Sequence, residues 1–476
     1  MLYIDGQWTH SQSGEQLEVT NPATGEVIEK VAKGGAGDSK LAIEAADRSF
    51  SDWKKLAAKE RGAYLVKTAE ILRGKADELA ELVTKEMGKP LKESKGEVNL
   101  AIDYLDWYAE EAKRVYGETI PASHPSKRLH VFKEPVGVTA AVTPWNFPVA
   151  MITRKIAPAL AAGCPVVVKP ASSTPLSAIK VFEAFHEAGL PKGVANLLIG
   201  SASKVVGEMM SSPKVKKITF TGSTEVGKKL IRDSADTVKK VSMELGGHAP
   251  FIVFEDADLD LAVDSVIGSK FRNAGQTCIC TNRIYVQESI AEEFSKRFVD
   301  KVQALAIGNG LADGVEIGPL IDEGAVEKVE EQIQDAQEKG AVVLCGGKRT
   351  QVNGQQGGSF FEPTVLGQAT DDMVITREET FGPVAPIYTF STEEEAIERA
   401  NHPQYGLAAY AFTKDLSRSY RLMEGLEYGI IGLNDPIPTT AQAPFGGMKE
   451  SGTGREGGRQ GIEEYLEDKF VSIGNI

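Results

Sequence analysis

Residues 217–227 read Lys217-Ile218-Thr219-Phe220-Thr221-Gly222-Ser223-Thr224-Glu225-Val226-Gly227. The run 217–220 predicts a short strand and 225–234 a helix, with a glycine-bearing turn between them. The same alternation surrounds it: 165–169 is an apolar strand, 176–188 a helix and 196–199 a strand. Short strands alternating with helices predict a parallel sheet with right-handed crossovers, a doubly wound Rossmann-like domain. A second series begins near Pro250, with strands at 250–254, 283–287, 342–344, 384–390 and 429–433. Two series imply two α/β domains.

Other segments differ. Residues 38–116 are helical in pattern. Asp38 is a candidate cap for a first helix with Leu41, Ala45, Phe50 and Trp53 inward. A second helix runs through Leu65, Ile71, Leu72, Leu79 and Leu82 to Gly88-Lys89-Pro90, and a third through Leu100, Ile102, Tyr104, Trp107 and Tyr108. Two strand-like stretches, 128–133 and 136–142, are joined by Glu134-Pro135, and the tail 465–473 is strand-like again. Asn353–Ser359 is a Gly/Gln-rich surface turn by composition.

The chain has 476 residues, enough for two or three domains. Its 42% hydrophobic and 25% charged content is that of a soluble globular protein. No apolar run is long enough to span a bilayer, and no signal peptide is evident. Four cysteines in this length are not a disulfide framework, so a reducing, cytoplasmic setting is expected. The net charge of −14 argues against nucleic-acid or membrane partners. An anionic substrate would need locally placed arginines.

Several stretches carry chemistry. Gly275-Gln276-Thr277-Cys278-Ile279-Cys280 sets a thiol in a polar loop, where backbone N–H groups can favour a thiolate nucleophile; a small buried hydrophobe is the plainer alternative. The turn with Gly222 and Ser223 suits a phosphate at a helix N-terminus, but it lacks the GxGxxG pattern and equally suits an ordinary strand–helix turn. Lys169 ends a strand, where ligands bind in open α/β sheets or where a lysine is simply solvated. In Thr143-Pro144-Trp145-Asn146-Phe147-Pro148, Asn146 either closes the turn or aims its amide at a developing oxyanion. Glu244, in an apolar surround before Gly246-Gly247, is a candidate base or a surface carboxylate. Glu379, near Phe381, could accept from ribose hydroxyls.

Together, in this order, these stretches resemble the aldehyde dehydrogenase family: Pro-Trp-Asn, Lys-Pro-Ala, Phe-Thr-Gly-Ser, Glu-Leu-Gly-Gly, Gly-Gln-Thr-Cys, Glu-Thr-Phe-Gly-Pro and Pro-Phe-Gly-Gly at 444–447. Asn21-Pro22-Ala23-Thr24-Gly25 and residues 451–456 match too, so the resemblance spans the chain. It implies the aldehyde dehydrogenase fold: a cofactor-binding domain at 1–116 and 136–245, a catalytic domain at 246–433, a return segment at 434–456, and a small β oligomerisation arm at 117–135 and 457–476. A homodimer or homotetramer follows.

The resemblance also implies roles. Cys278 is the nucleophile, Glu244 the base for the hydrolytic water, and Asn146 with the Cys278 N–H the oxyanion hole. Trp145, Lys169, Ser172, Gly222, Ser223, Glu379 and Phe381 belong to the cofactor site: Lys169 and Glu379 on ribose hydroxyls, Ser223 on the pyrophosphate, Phe381 by the nicotinamide. No metal is expected. Within the family the chain is most similar to succinate-semialdehyde dehydrogenases, through 146–155 and 271–280. That similarity implies Arg154 and Arg272 as ligands of the substrate carboxylate, with Thr439 where a serine is usual. Many NAD-preferring members carry Glu where this chain has Ser172, so NADP is favoured and NAD accepted. Glutarate semialdehyde is the alternative substrate. A silent structural relative and a thiol esterase are the readings from other classes. Cys280, two residues from Cys278, is a candidate redox partner or a packing residue.

Overall fold

The computed structural model describes residues 1–352 and 358–475. Its larger sheet has a parallel core of five strands, in spatial order Ala195–Leu197, Val166–Lys169, Val138–Val142, Val215–Thr221 and Lys240–Glu244. The antiparallel strands Leu2–Ile4 and Gln7–Thr9 extend one edge, and Gly452–Thr453 the other. From Val138–Val142 the chain first winds to one side, then returns to place Val215–Thr221 on the other. The order therefore reverses between these two strands, and a crevice opens at their carboxyl ends. Val166, Val167 and Val168 are fully buried because helices cover both faces.

The second sheet runs Val342–Cys345, Thr364–Gly367, Val384–Phe390, Thr281–Gln287, Ala249–Val253, Ala408–Phe412 and Ile430–Leu433. Only Val342–Cys345 is antiparallel to its neighbour. Each sheet has its own apolar core. A third, small sheet joins Glu118–Ile120, Lys127–Pro135 and Leu466–Gly474, the last two pairing antiparallel from Leu466↔Pro135 to Gly474↔Lys127. The strand-like tail thus finds its partner more than three hundred residues upstream.

Some local expectations need correction. The second helix is two, Ala58–Gly74 and Ala76–Met87, broken at Lys75. Asp38 is the third residue of helix Ala36–Trp53 and reaches back to the Gly35 N–H at 2.9 Å, completing the cap from inside. The buried stripe of that helix runs through Ala42, Ile43, Ala45, Ala46 and Trp53, leaving Leu41 46% exposed. The strand expected at 128–133 runs on through Pro135, and the chain turns at Val136-Gly137 instead. Ala408–Phe412 is a central buried strand whose three alanines give little β signal. Of the Asn353–Ser359 turn, residues 353–357 lie outside the described residues.

Candidate active site

The site forms where the two sheets meet. The first offers loops leaving its carboxyl ends: Trp145 and Asn146 after Val138–Val142, Gly222 and Ser223 after Val215–Thr221, and Glu244 at the end of its own strand. The second offers loops entering its strands: Cys278 before Thr281–Gln287, and Glu379 and Phe381 before Val384–Phe390. The link from Glu244 to Ala249–Val253 must pass close to the Cys278 loop. A Cβ on Gly247 would sit 2.1 Å from the Cys278 carbonyl oxygen, and one on Gly246 would sit 2.9 Å from Glu379 Oε2.

A cavity of about 390 Å³ lies between the loops, lined by Trp145, Asn146, Gly222, Ser223, Cys278, Glu379 and Phe381 among others. Ser223 caps helix Thr224–Ser234, its Oγ accepting the Val226 N–H at 3.4 Å, so exposed N–H groups and the positive end of the helix face this crevice. Glu379 is anchored by the Gly247 N–H at 3.0 Å, and burial pushes its carboxyl up to about 7. Phe381 holds a left-handed backbone (φ 54°) and meets Trp145 edge to face at 5.6 Å. Lys169 and Ser172 stand apart from this group: neither lines the cavity. The Lys169 ammonium bonds the Pro170 carbonyl at 3.0 Å, with burial lowering it to about 8. Ser172 is exposed, its hydroxyl on the Gly200 carbonyl at 3.3 Å. The donor set fits an anionic dinucleotide: a helix N-terminus, a carboxylate for hydroxyls and two aromatic rings.

The Cys278 loop is tightly held. Asn273, Ala274 and Gly275 all have left-handed φ, of 52°, 53° and 76°. Such backbone persists only where neighbours over-determine it. The Gln276 amide bonds the Asn273 carbonyl at 3.0 Å and receives the Ile321 N–H at 2.9 Å. Asn146 Nδ2 donates to the Gln276 carbonyl at 3.0 Å, leaving its second N–H for a ligand. Burial pushes the Cys278 thiol up to about 12, opposed by Arg154 and reinforced by Glu379 and Glu244. The thiolate-favouring loop expected from sequence is therefore not what burial produces; the thiol carries its proton in the protein alone.

Glu244 is 2% exposed, and its Oε2 has no partner among the described residues. Burial raises it well above the usual carboxylate range, and the neighbouring Glu456 raises it further, against Arg154 and Lys155. A Cβ at Gly446 would lie 2.8 Å from Glu244 Oε1, so glycine leaves room for this carboxylate. Glu456 is the opposite case. Burial pushes it up, yet Lys155 and Arg154 hold it below its usual value. Lys155 bonds its Oε1, and Arg154 Nε lies 2.5 Å from its Oε2. The sequence reading missed Lys155 and Glu456; the signal was two adjacent cations, Arg154 and Lys155, inside a mostly apolar helix, Ala150–Ala162.

A second, small cavity of about 40 Å³ shares Cys278 and Met151 with the first and is lined by Arg154, Arg272, Thr439, Phe147 and Phe445. Arg272 has no hydrogen bond or ion pair among the described residues; its guanidinium lies 5.1 Å from the Phe147 ring centre. Thr439 Oγ1 is buried and without a partner there. Arg154, expected as a ligand of the substrate carboxylate, is already paired with Glu456. Cys280 packs away from both cavities, its sulfur 3.5 Å from the Lys270 ammonium, and both cysteines are free thiols.

The aldehyde dehydrogenase family model matches residues 8–471, and the chain belongs to this family of oxidoreductases. It is 53% identical to succinate-semialdehyde dehydrogenase [NADP(+)] GabD of Escherichia coli (strain K12), over 99% of this chain and 97% of that one. It is equally similar, at 53%, to a 3-sulfolactaldehyde dehydrogenase of Pseudomonas putida, over 100% and 97% of the two chains. A glutarate-semialdehyde dehydrogenase of Pseudomonas putida (strain KT2440) is 52% identical over 99% and 97%. A solved structure of an E. coli NADP-dependent enzyme superposes with a TM-score of 0.98 at 52% identity, covering 100% of this chain and 98% of that one. The fold is that of an aldehyde dehydrogenase.

The state of the thiol has a direct readout. In the protein without cofactor, iodoacetamide alkylation of Cys278, followed by peptide mass spectrometry, is expected to climb about tenfold per pH unit from about pH 7 to about pH 10. A plateau below about pH 9 would mean the loop stabilises a thiolate after all.

Proposed function

We propose that the protein oxidises short aldehydes bearing a distal anionic group, with succinate semialdehyde the preferred substrate. The observation that carries this reading is the pair Arg272 and Thr439: a cation in no ion pair among the described residues, with the buried carboxylate of Glu93 nearby, and a hydroxyl without a partner there, in the wall of a small cavity that reaches Cys278. An unpaired cation in a semi-apolar pocket favours a carboxylate ligand by charge-assisted hydrogen bonds. Arg154, already paired, contributes the far wall and its field. The carboxylate of glutarate semialdehyde and the sulfonate of a sulfolactaldehyde would meet the same cation.

The residues then divide the work. Cys278, having released its proton to water, attacks the aldehyde carbon as the thiolate. The free N–H of Asn146 and the Cys278 N–H stabilise the oxyanion. A nicotinamide dinucleotide held by the residues of the larger cavity would supply the hydride acceptor needed for the adduct to become a thioester. Glu244, once deprotonated, takes a proton from the water that releases the acid. Because Glu244 is raised, this last step gains as pH rises through its pKa. Ser172, uncharged and exposed, leaves room for a 2′-phosphate, so NADP is proposed as preferred over NAD. Residues 1–116 and 136–245 are assigned to cofactor binding, 246–433 to catalysis and 434–456 to the return segment. The arm of 117–135 and 457–476, whose small sheet exposes Phe132 and Phe470, is assigned to oligomerisation.

Arg272→Ala is expected to raise KM for succinate semialdehyde on the order of 10-fold or more while sparing butanal. Equal losses with both aldehydes would make Arg272 structural and remove the basis for an anionic substrate. For the cofactor, Ser172→Glu should depress kcat/KM for NADP and leave NAD nearly unchanged, since the new carboxylate repels only the 2′-phosphate. Strict NAD preference in the unaltered protein would contradict this assignment.

A further inference from the structure

Helix Leu91–Glu111 brings two carboxylates, four residues apart and so on one face, beneath the site. Glu97 Oε1 accepts the N–H groups of Val149 at 2.8 Å and Ala150 at 3.2 Å, where helix Ala150–Ala162 begins. Its Oε2 receives the Lys89 ammonium at 2.6 Å. Lys89 spends a second hydrogen on the Asn146 carbonyl at 2.7 Å and sits 3.7 Å from the Phe147 ring centre. Both side chains of the pair are wholly out of solvent. One turn earlier, Glu93 Oε2 accepts the Asn273 N–H at 2.8 Å, the first of the left-handed residues before Cys278. The Asn273 amide in turn reaches the Asn146 carbonyl at 3.3 Å.

A buried ion pair is a poor device for stability alone, because desolvation cancels much of its attraction. Here its hydrogen bonds grip the chain at Asn146 and just beyond it: the carbonyl of that residue and the N–H groups of Val149 and Ala150. Glu93 grips the facing loop. None of the three lines either cavity, so none touches a ligand there. Resting on the reading that Asn146 holds the oxyanion, we infer that Glu97 with Lys89, and Glu93, are positioning residues that set the Asn146 loop against the Cys278 loop.

Glu97→Gln keeps an acceptor for the helix N–H groups but leaves Lys89 without its counter-ion. The first-turnover rate of nicotinamide reduction should fall on the order of 10- to 100-fold, since small misplacements of an oxyanion donor are costly. KM for NADP should stay near that of the unaltered protein. The deciding readout is a double-mutant cycle with Asn146→Ala: if Glu97 acts through Asn146, most of the Glu97→Gln loss disappears in that background. The same fold-loss in both backgrounds would mean a merely structural role and overturn the inference. Glu93→Gln in the same cycle carries the test if Glu97→Gln does not fold; additivity there overturns it equally. Activity with butanal but none with succinate semialdehyde in the unaltered protein would overturn the proposed substrate instead, and the cycle is then run with butanal.

Discussion

The contact on which the site depends is the passage of Gly246-Gly247 against the Cys278 loop. With a Cβ at 247 the two strands of chain could not approach, since that atom would fall 2.1 Å from the Cys278 carbonyl oxygen. This approach puts Glu244, three residues earlier on one sheet, beside the thiol of the other. It also gives Glu379 its backbone anchor on Gly247. Two separate apolar cores are thereby joined at one polar seam.

Charge at this seam is organised by burial. Arg154, Lys155, Glu244 and Glu456 are all nearly inaccessible to water. Glu456 takes both cations, so Glu244 is left unpaired and raised well above the usual carboxylate range, and burial likewise pushes the Cys278 thiol up. In the proposed mechanism Glu244 must be deprotonated for the hydrolytic step, which would couple turnover to pH.

Much of the fold is legible in the sequence, because alternating apolar runs and helical stripes follow from backbone periodicity. Val384–Phe390 matches its strand to the residue. Ala408–Phe412 was not legible, since alanines carry no strand preference, whereas the helix break at Lys75 leaves a trace in Gly74, which ends the first of the two helices. The location of Cys278, Glu244 and Asn146 together followed from motif order, not from any local pattern. The ion pairs were hidden because they join residues as distant as Lys155 and Glu456. Glu97 does leave a trace: it falls in the buried stripe of its helix with Ala101, Leu105 and Tyr108, where a charge demands a partner.

The central claim is that a thioester forms on Cys278 and that Glu244 is needed to release it. It is tested most directly by mixing the Glu244→Gln protein with NADP and succinate semialdehyde, quenching in acid and mapping the peptides by mass spectrometry. The account predicts one rapid turnover of reduced nicotinamide and a succinyl group that accumulates on the peptide bearing Cys278. Steady turnover at the rate of the unaltered protein with no acyl group on Cys278 would contradict it.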